Sequence, residues 1–180
     1  MSDIRLSEKI GSAFYDVAHD VFHHGHTHYD FSGGRGSLKS STVSVLVPLL
    51  LINNPGTHAL VLRKVANTIR DSVYAQYIWA IGELGMAAYW EAKVSPMELI
   101  YKPTGQKIMF RGADDPMKIK SIKVPFGYIA VTHFEEKDSL RGARKYERSY
   151  SLQCAADLSS GTLKAITRRS AGTTGRTKIA

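Results

Sequence analysis

Gly33 to Ser40, reading G-G-R-G-S-L-K-S, constrain this chain more than any other stretch. They fit the phosphate-loop template G-x-x-x-x-G-K-[ST] at the first glycine, the lysine and the serine, and depart at the sixth position, where Leu38 stands for glycine. Gly33, Gly34 and Gly36 permit positive φ, so successive N–H groups of the loop from Gly33 through Ser41 can converge on one anion. Lys39 supplies a cation for the β- and γ-phosphates, and Ser40 a hydroxyl for Mg²⁺. A helix starting near Lys39 aims its positive end at the same place. Leu38 is expected in helical or bridging angles, because positive φ is costly for a residue with a Cβ. The same residues also suit a plain glycine-rich turn between a strand and a helix.

The flanking pattern predicts an α/β frame. His28 to Ser32 reads as the strand before the loop. Lys39 to Leu51 reads as a helix apolar nearly all round, kinked at Pro48 and ended by Asn53-Asn54-Pro55-Gly56. Ala59 to Leu62 is a continuous apolar run, as in a buried parallel strand. Arg63 and Lys64 stand at its carboxyl end, where open α/β sheets gather ligands. Arg63 is thus a candidate phosphate sensor, a solvated pair being the plainer alternative. Ile69, Val73, Tyr77, Ile81 and Leu84 mark a helix, with Asn67 as its cap and Gly85 as its stop. Glu98–Tyr101 and Lys107–Arg111 read as strands joined through Pro103-Thr104-Gly105. Gly127 to Phe134 is a further buried strand, ending in Glu135-Glu136. Two carboxylates at the tip of an apolar strand suit the other half of a hydrolytic site, one for the Mg²⁺ hydration shell and one to polarise water.

Other features carry less. Asp3 to Phe22 reads as one helix, with Ile10, Phe14, Val17 and Val21 on its apolar face. His19, His23, His24, His26 and His28 could hold a transition metal, but no ligand spacing is recognisable, and a polar loop is the simpler reading. Tyr29 could stack on adenine or join the core. Lys118, Lys120 and Lys123 could touch a DNA backbone or belong to a solvated loop.

The net charge of +8 would suggest nucleic acid, but its distribution weakens that argument. Met1 to Glu136 holds 14 Lys+Arg against 13 Asp+Glu, whereas the 44 residues from Lys137 hold 10 against 3. That tail lacks Val, Phe, Trp and Met, and 15 of its residues are Gly, Ser or Thr, so it is expected to be largely disordered. Cys154, the single cysteine, excludes an internal disulfide and a cysteine-rich zinc site. The longest apolar run is too short to span a bilayer, and no cleavable signal pattern is expected. A cytoplasmic protein is the default expectation.

Tyr29 through Thr42, Leu60-Val61-Leu62-Arg63-Lys64, Ile69-Arg70-Asp71-Ser72-Val73-Tyr74, Phe110-Arg111-Gly112-Ala113-Asp114-Asp115-Pro116, Lys118-Ile119-Lys120-Ser121 and Phe134-Glu135-Glu136 together resemble the N-terminal ATPase domain of phage terminase large subunits, the PBSX-like branch. The resemblance covers Tyr15 to Glu136. It implies an ASCE-type P-loop NTPase fold, with a mostly parallel sheet flanked by helices and incomplete at its C-terminus. It also implies Mg²⁺-dependent ATP hydrolysis driving double-stranded DNA into a capsid. Carried over, Gly33, Gly34, Arg35, Gly36, Ser37, Leu38, Lys39, Ser40 and Ser41 bind nucleotide. Ser40 and Glu135 hold the metal, Glu136 is the catalytic carboxylate, and Arg35 acts near the γ-phosphate. The implied partners are DNA, a terminase small subunit, the portal or procapsid and other large subunits, with no membrane. The family continues after the glutamate pair with further strands, a coupling motif and a nuclease. Here 137–180 differs in composition, so a truncated or frameshifted product without nuclease activity is expected. A non-catalytic prophage remnant and an unrelated P-loop ATPase acting on nucleic acid are the alternatives.

Overall fold

The computed structural model describes residues 5–31, 36–63, 66–112, 126–137 and 145–154. Its strands are β1 (His28–Phe31), β2 (His58–Arg63), β3 (Trp90–Val94), β4 (Met97–Tyr101), β5 (Gln106–Gly112), β6 (Phe126–Lys137) and β7 (Lys145–Cys154). Its α-helices are α1 (Tyr15–Phe22), α2 (Lys39–Asn53) and α3 (Ala75–Glu83). One sheet runs in the order β1-β7-β6-β2-β5-β4-β3.

The middle of the sheet follows the apolar pattern. Ala59, Leu60, Val61 and Leu62 are buried, and a strand apolar at every position is stable only with both faces covered. β2 pairs in parallel with β5 and with β6, as its composition predicts. The expected hairpin of β4 and β5 is present and turns through Gly105 at φ 70. The strand expected over Gly127–Phe134 lies within β6. β3 was not expected; it pairs antiparallel to β4 at the far edge.

The ladder is mixed rather than mostly parallel. Only β2–β5 and β2–β6 are parallel, while β1–β7, β6–β7, β3–β4 and β4–β5 are antiparallel. Short connections can join only antiparallel neighbours, which accounts for β3–β4, β4–β5 and β6–β7, whereas β1–β7 pairs strands far apart in the chain. β7 is the larger correction. It lies in the stretch expected to be disordered, yet it is inserted between β1 and β6, with Leu152 at 0% exposure. Residues 138–144 and 155–180 of that stretch lie outside the described residues.

α2 is buried almost all round, through Val43, Val45, Leu46, Val47, Leu50 and Leu51, and it continues through Pro48 to Asn53. A distant side chain closes its end. Gln106 Nε2 donates to the carbonyls of Leu51, Asn54 and Thr57 at 2.7, 2.9 and 3.0 Å, meeting acceptors that a helix leaves unpaired. The single helix expected from Asp3 to Phe22 is instead two 3₁₀ turns, Leu6–Glu8 and Ser12–Phe14, followed by α1. Gly11 is extended between the turns, at φ −68 and ψ 143. Ile10 and Val21 still reach the core. The next helix is also subdivided, into a 3₁₀ turn at Ala66–Thr68, a π turn at Arg70–Tyr74 and then α3. Asn67 lies inside the 3₁₀ turn, and Ile69, which precedes the π turn, makes no side-chain cap. Tyr74 and Tyr77 meet Phe110 of β5 edge-on at 5.2 and 5.3 Å. Gly85, at φ 64, follows the end of α3 as expected. Among the described residues no helix is long and apolar enough to cross a membrane.

Candidate nucleotide site

Register defines an edge. Phe31, the last residue of β1, lies opposite Tyr150 of β7, and Tyr150 lies opposite Thr132 of β6. Thr132 lies opposite Arg63, the last residue of β2, and Arg63 opposite Gly112, the last of β5. The carboxyl ends of β1, β2 and β5 are therefore level, and the loop from β1 to α2 leaves from that edge. Open α/β sheets gather ligands there.

Gly33, Gly34 and Arg35 lie outside the described residues. The chain re-enters at Gly36, where φ is 81. Leu38 then takes φ 59 and ψ 8, the left-handed conformation, against the helical or bridging angles expected of it. The template's glycine position thus keeps its glycine-like backbone although its residue has a Cβ, at a cost of roughly 1–2 kcal/mol. Surroundings hold it there. Its carbonyl accepts the first helical bond of α2, from the Thr42 N–H at 2.8 Å. Its side chain lies so close to Gly11 that a Cβ on that glycine would be 3.2 Å from Leu38 Cδ1.

Lys39 opens α2 and is only 4% exposed. Its Nζ donates to Ser37 Oγ at 2.5 Å, a partner the template does not specify. A buried ammonium needs acceptors, and here the loop supplies one. Ser40 and Ser41 follow in the first turn, half-buried, where helical N–H groups lack intrahelical acceptors. Thr42 Oγ1 is buried with no hydrogen-bond partner among the described residues.

Glu135 and Glu136 fall in β6, opposite Glu147 and Tyr146. They lie three and four positions past Thr132, about 10 Å or more beyond the level of the edge at ~3.3 Å per residue. β7 separates the strand that feeds the loop from the strand that bears the carboxylates. That separation is two ladder spacings, about 9–10 Å.

Arg63 is half-buried, and its Nη1 donates to Ser72 Oγ at 2.6 Å. Neither Ser37 nor Ser72 carries a local sequence signal for these roles. Tyr29 is buried rather than free to stack. Its hydroxyl donates to Asp20 Oδ2 at 2.7 Å and accepts the His26 N–H at 3.0 Å, and burial pushes its pKa up. His26 Nδ1 is 2.7 Å from the same Asp20 oxygen, and the hydrogen bonds from His26 and Tyr29 hold the Asp20 carboxyl below its usual range. His19 and His23 stack at 4.0 Å. Among the described residues no three His, Cys, Asp or Glu are grouped to hold a metal. Lys118, Lys120 and Lys123 lie outside the described residues.

The family model described as phage terminase large subunit matches residues 26–148. The match includes the loop, the edge and the carboxylate strand, and continues past Glu136 into β7. The terminase large subunit of Bacillus phage SPP1 is 41% identical over 136 residues, which is 76% of this chain and 32% of that protein. The PBSX phage terminase large subunit of Bacillus subtilis (strain 168) is 38% identical over 102 residues, 57% of this chain and 23% of that protein. The chain thus spans about a third and about a quarter of these relatives' lengths. With the matched stretch running from before β1 into β7, the chain belongs to the phage terminase large subunit family.

Proposed function

We propose that this chain binds Mg·ATP at the loop from Gly33 to Ser41, in a P-loop NTPase arrangement, and hydrolyses it in the service of packaging phage DNA. The observation that carries the reading is Lys39. It is a buried ammonium at the first position of a 15-residue helix, held by a loop hydroxyl at the carboxyl edge of the sheet. Helix dipole, N–H groups and cation act together on an anion there. Ser40 would hold Mg²⁺ with Glu135, Arg35 would act near the γ-phosphate, and Glu136 would polarise the attacking water. Rate enhancement would then come from positioning and electrostatics. Double-stranded DNA, a small subunit, the portal or procapsid and further large subunits are the partners that family membership suggests, in a host cytoplasm.

One observation favours a second reading, in which nucleotide binds without turnover. The loop strand and the carboxylate strand are not neighbours, because β7 lies between them. Equilibrium dialysis tests the site itself: Lys39→Ala should weaken Mg·ATP binding by roughly 1.5–3 kcal/mol, the range for hydrogen bonds to charged groups. Equal affinity of wild type and variant would remove the assignment. Single-turnover phosphate release separates the two readings. In the hydrolytic one Glu136→Gln loses ~10²–10⁴ in rate, whereas in the binding-only one the wild type binds ATP and releases no phosphate.

A further inference from the structure

Leucine stands where the phosphate-loop template has glycine, and glycine stands where that leucine's side chain lies. Gly11 is extended, at φ −68 and ψ 143, a conformation open to any residue, so its backbone does not require glycine. The constraint is space. A Cβ on Gly11 would lie 3.2 Å from Leu38 Cδ1 and 3.8 Å from Leu38 Cβ, so a larger side chain would have to displace the leucine. The 3₁₀ turn Ser12–Phe14 begins directly after Gly11, and the Phe14 N–H donates to the Gly11 carbonyl at 2.9 Å. From the same turn the Phe14 ring meets the Phe31 ring, with 5.8 Å between centroids. Phe31 is the last residue of β1, and Leu38 is the residue before α2. The short turn from Gly11 to Phe14 therefore touches the chain on both sides of the phosphate loop, at its entry through Phe14 and at its exit through Gly11.

We propose that the turn from Gly11 to Phe14 is a clamp across the two ends of the phosphate loop, and that it sets the affinity for nucleotide by holding Leu38 in the left-handed conformation. The proposal rests on the nucleotide reading above. Gly11 and Phe14 are positioning residues, acting through Leu38 and Phe31. Glycine at the template's sixth position takes positive φ about as readily as negative, whereas leucine does so only against a steric penalty. Across the Leu38 turn Lys39 Nζ donates to Ser37 Oγ, and the Leu38 carbonyl accepts the Thr42 N–H. The conformation of this one residue therefore sets how the cation and the first turn of α2 stand relative to the loop. A leucine released from Gly11 relaxes towards negative φ and turns the loop away from α2. Apparent affinity then falls with the fraction of molecules that keep the receptive conformation.

A double-mutant cycle tests the clamp. Gly11→Val puts a branched side chain where Leu38 now lies. It should weaken Mg·ATP binding in equilibrium dialysis by about five- to thirtyfold, the fold-change that matches the left-handed penalty. In a Leu38→Gly background the same substitution meets no leucine and the turn keeps its left-handed conformation, so the loss should shrink to less than about twofold. Leu38→Gly alone should bind within about threefold of wild type. Dialysis well below the Tm of each variant keeps the folded fraction out of the comparison. Where Gly11→Val does not fold, Gly11→Ala takes its place in the same cycle, with an expected loss of about twofold or more that Leu38→Gly removes. The clamp is overturned if the substitution at Gly11 weakens binding equally in both backgrounds or in neither, or if Leu38→Gly alone abolishes binding. If Lys39→Ala loses binding while Gly11→Val binds as wild type does, the clamp alone falls. If wild type binds no Mg·ATP, the phosphate-loop reading fails and the clamp fails with it.

Discussion

Replacing Gln106 with leucine should loosen the end of α2. Its amide is almost completely buried and lies 2.7, 2.9 and 3.0 Å from three carbonyls that close the helix and begin the turn to β2. The NH₂ group has two protons, so about two full hydrogen bonds to the carbonyls are at stake; Oε1 also accepts the Thr104 hydroxyl at 2.7 Å, but Thr104 is exposed and water can replace that partner. Two of the carbonyls keep a second donor: Leu51 from the Asn54 N–H at 3.2 Å, and Asn54 from Thr57 Oγ1 at 2.7 Å. Two lost bonds plus partial exposure of the Thr57 carbonyl amount to ~2–4 kcal/mol. Added apolar burial of the leucine offsets about 1 kcal/mol. The net loss is then roughly 1–3 kcal/mol, or about 3–10 °C in Tm for a chain of this size. Gln106→Glu should be worse at neutral pH, because a carboxylate would face three carbonyl oxygens. Its folded pKa would be raised, so its contribution is present below the unfolded value of about 4.3 and is lost as pH rises. The gap between the Glu and Leu variants should therefore narrow on acidification. Urea and thermal unfolding measure both effects. A Gln106→Leu variant within about 0.5 kcal/mol of wild type would refute the assignment of the helix end to this side chain.

Two further outcomes follow from the same structure. Leu152 is fully buried between β1 and β6 on β7, so Leu152→Ala should destabilise by about 2–5 kcal/mol, and removal of residues 139–180 should lower Tm; an unchanged melting curve for both would show that β7 does not belong to the cooperative fold. His58 Nδ1 accepts the Lys107 N–H at 3.0 Å, and burial first, then Lys107, push its pKa below 6.5; a depressed folded pKa contributes stability above the unfolded value that is lost as pH falls, so urea unfolding between pH 7.5 and 5 should show a smaller loss in His58→Leu than in wild type.

What was legible in the sequence was local. The glycine-rich loop before Lys39, the helix behind it, the apolar strand Ala59–Leu62 and the strand ending in Glu135-Glu136 are each set by neighbours in the chain, through period, composition and turn residues. The ordered blocks from Tyr29 to Glu136 were enough to expect the terminase family, and the family match bears that out. Pairing across long stretches of chain was not legible. β7 has few large aliphatic side chains and a basic, serine-rich surrounding, so composition favoured disorder; Leu152, Cys154 and the ladder to β1 and β6 acquire their value only once those strands flank them. Leu38 reads as a residue that should avoid positive φ, but the start of α2 and the contact with Gly11 override that preference. Ser72 and Gln106 carry no local signal for their contacts, because a hydroxyl becomes an acceptor for Arg63, or an amide a helix cap, only when distant donors and acceptors are brought within hydrogen-bond reach. Local periodicity therefore determined the central elements β2, β4, β5, β6 and α2 and which residues could carry the chemistry, but not β3 or β7. Tertiary structure alone decided where β1 sits, what separates it from β6 and which polar side chains hold the edge, since those depend on burial and hydrogen bonds between residues far apart in the chain.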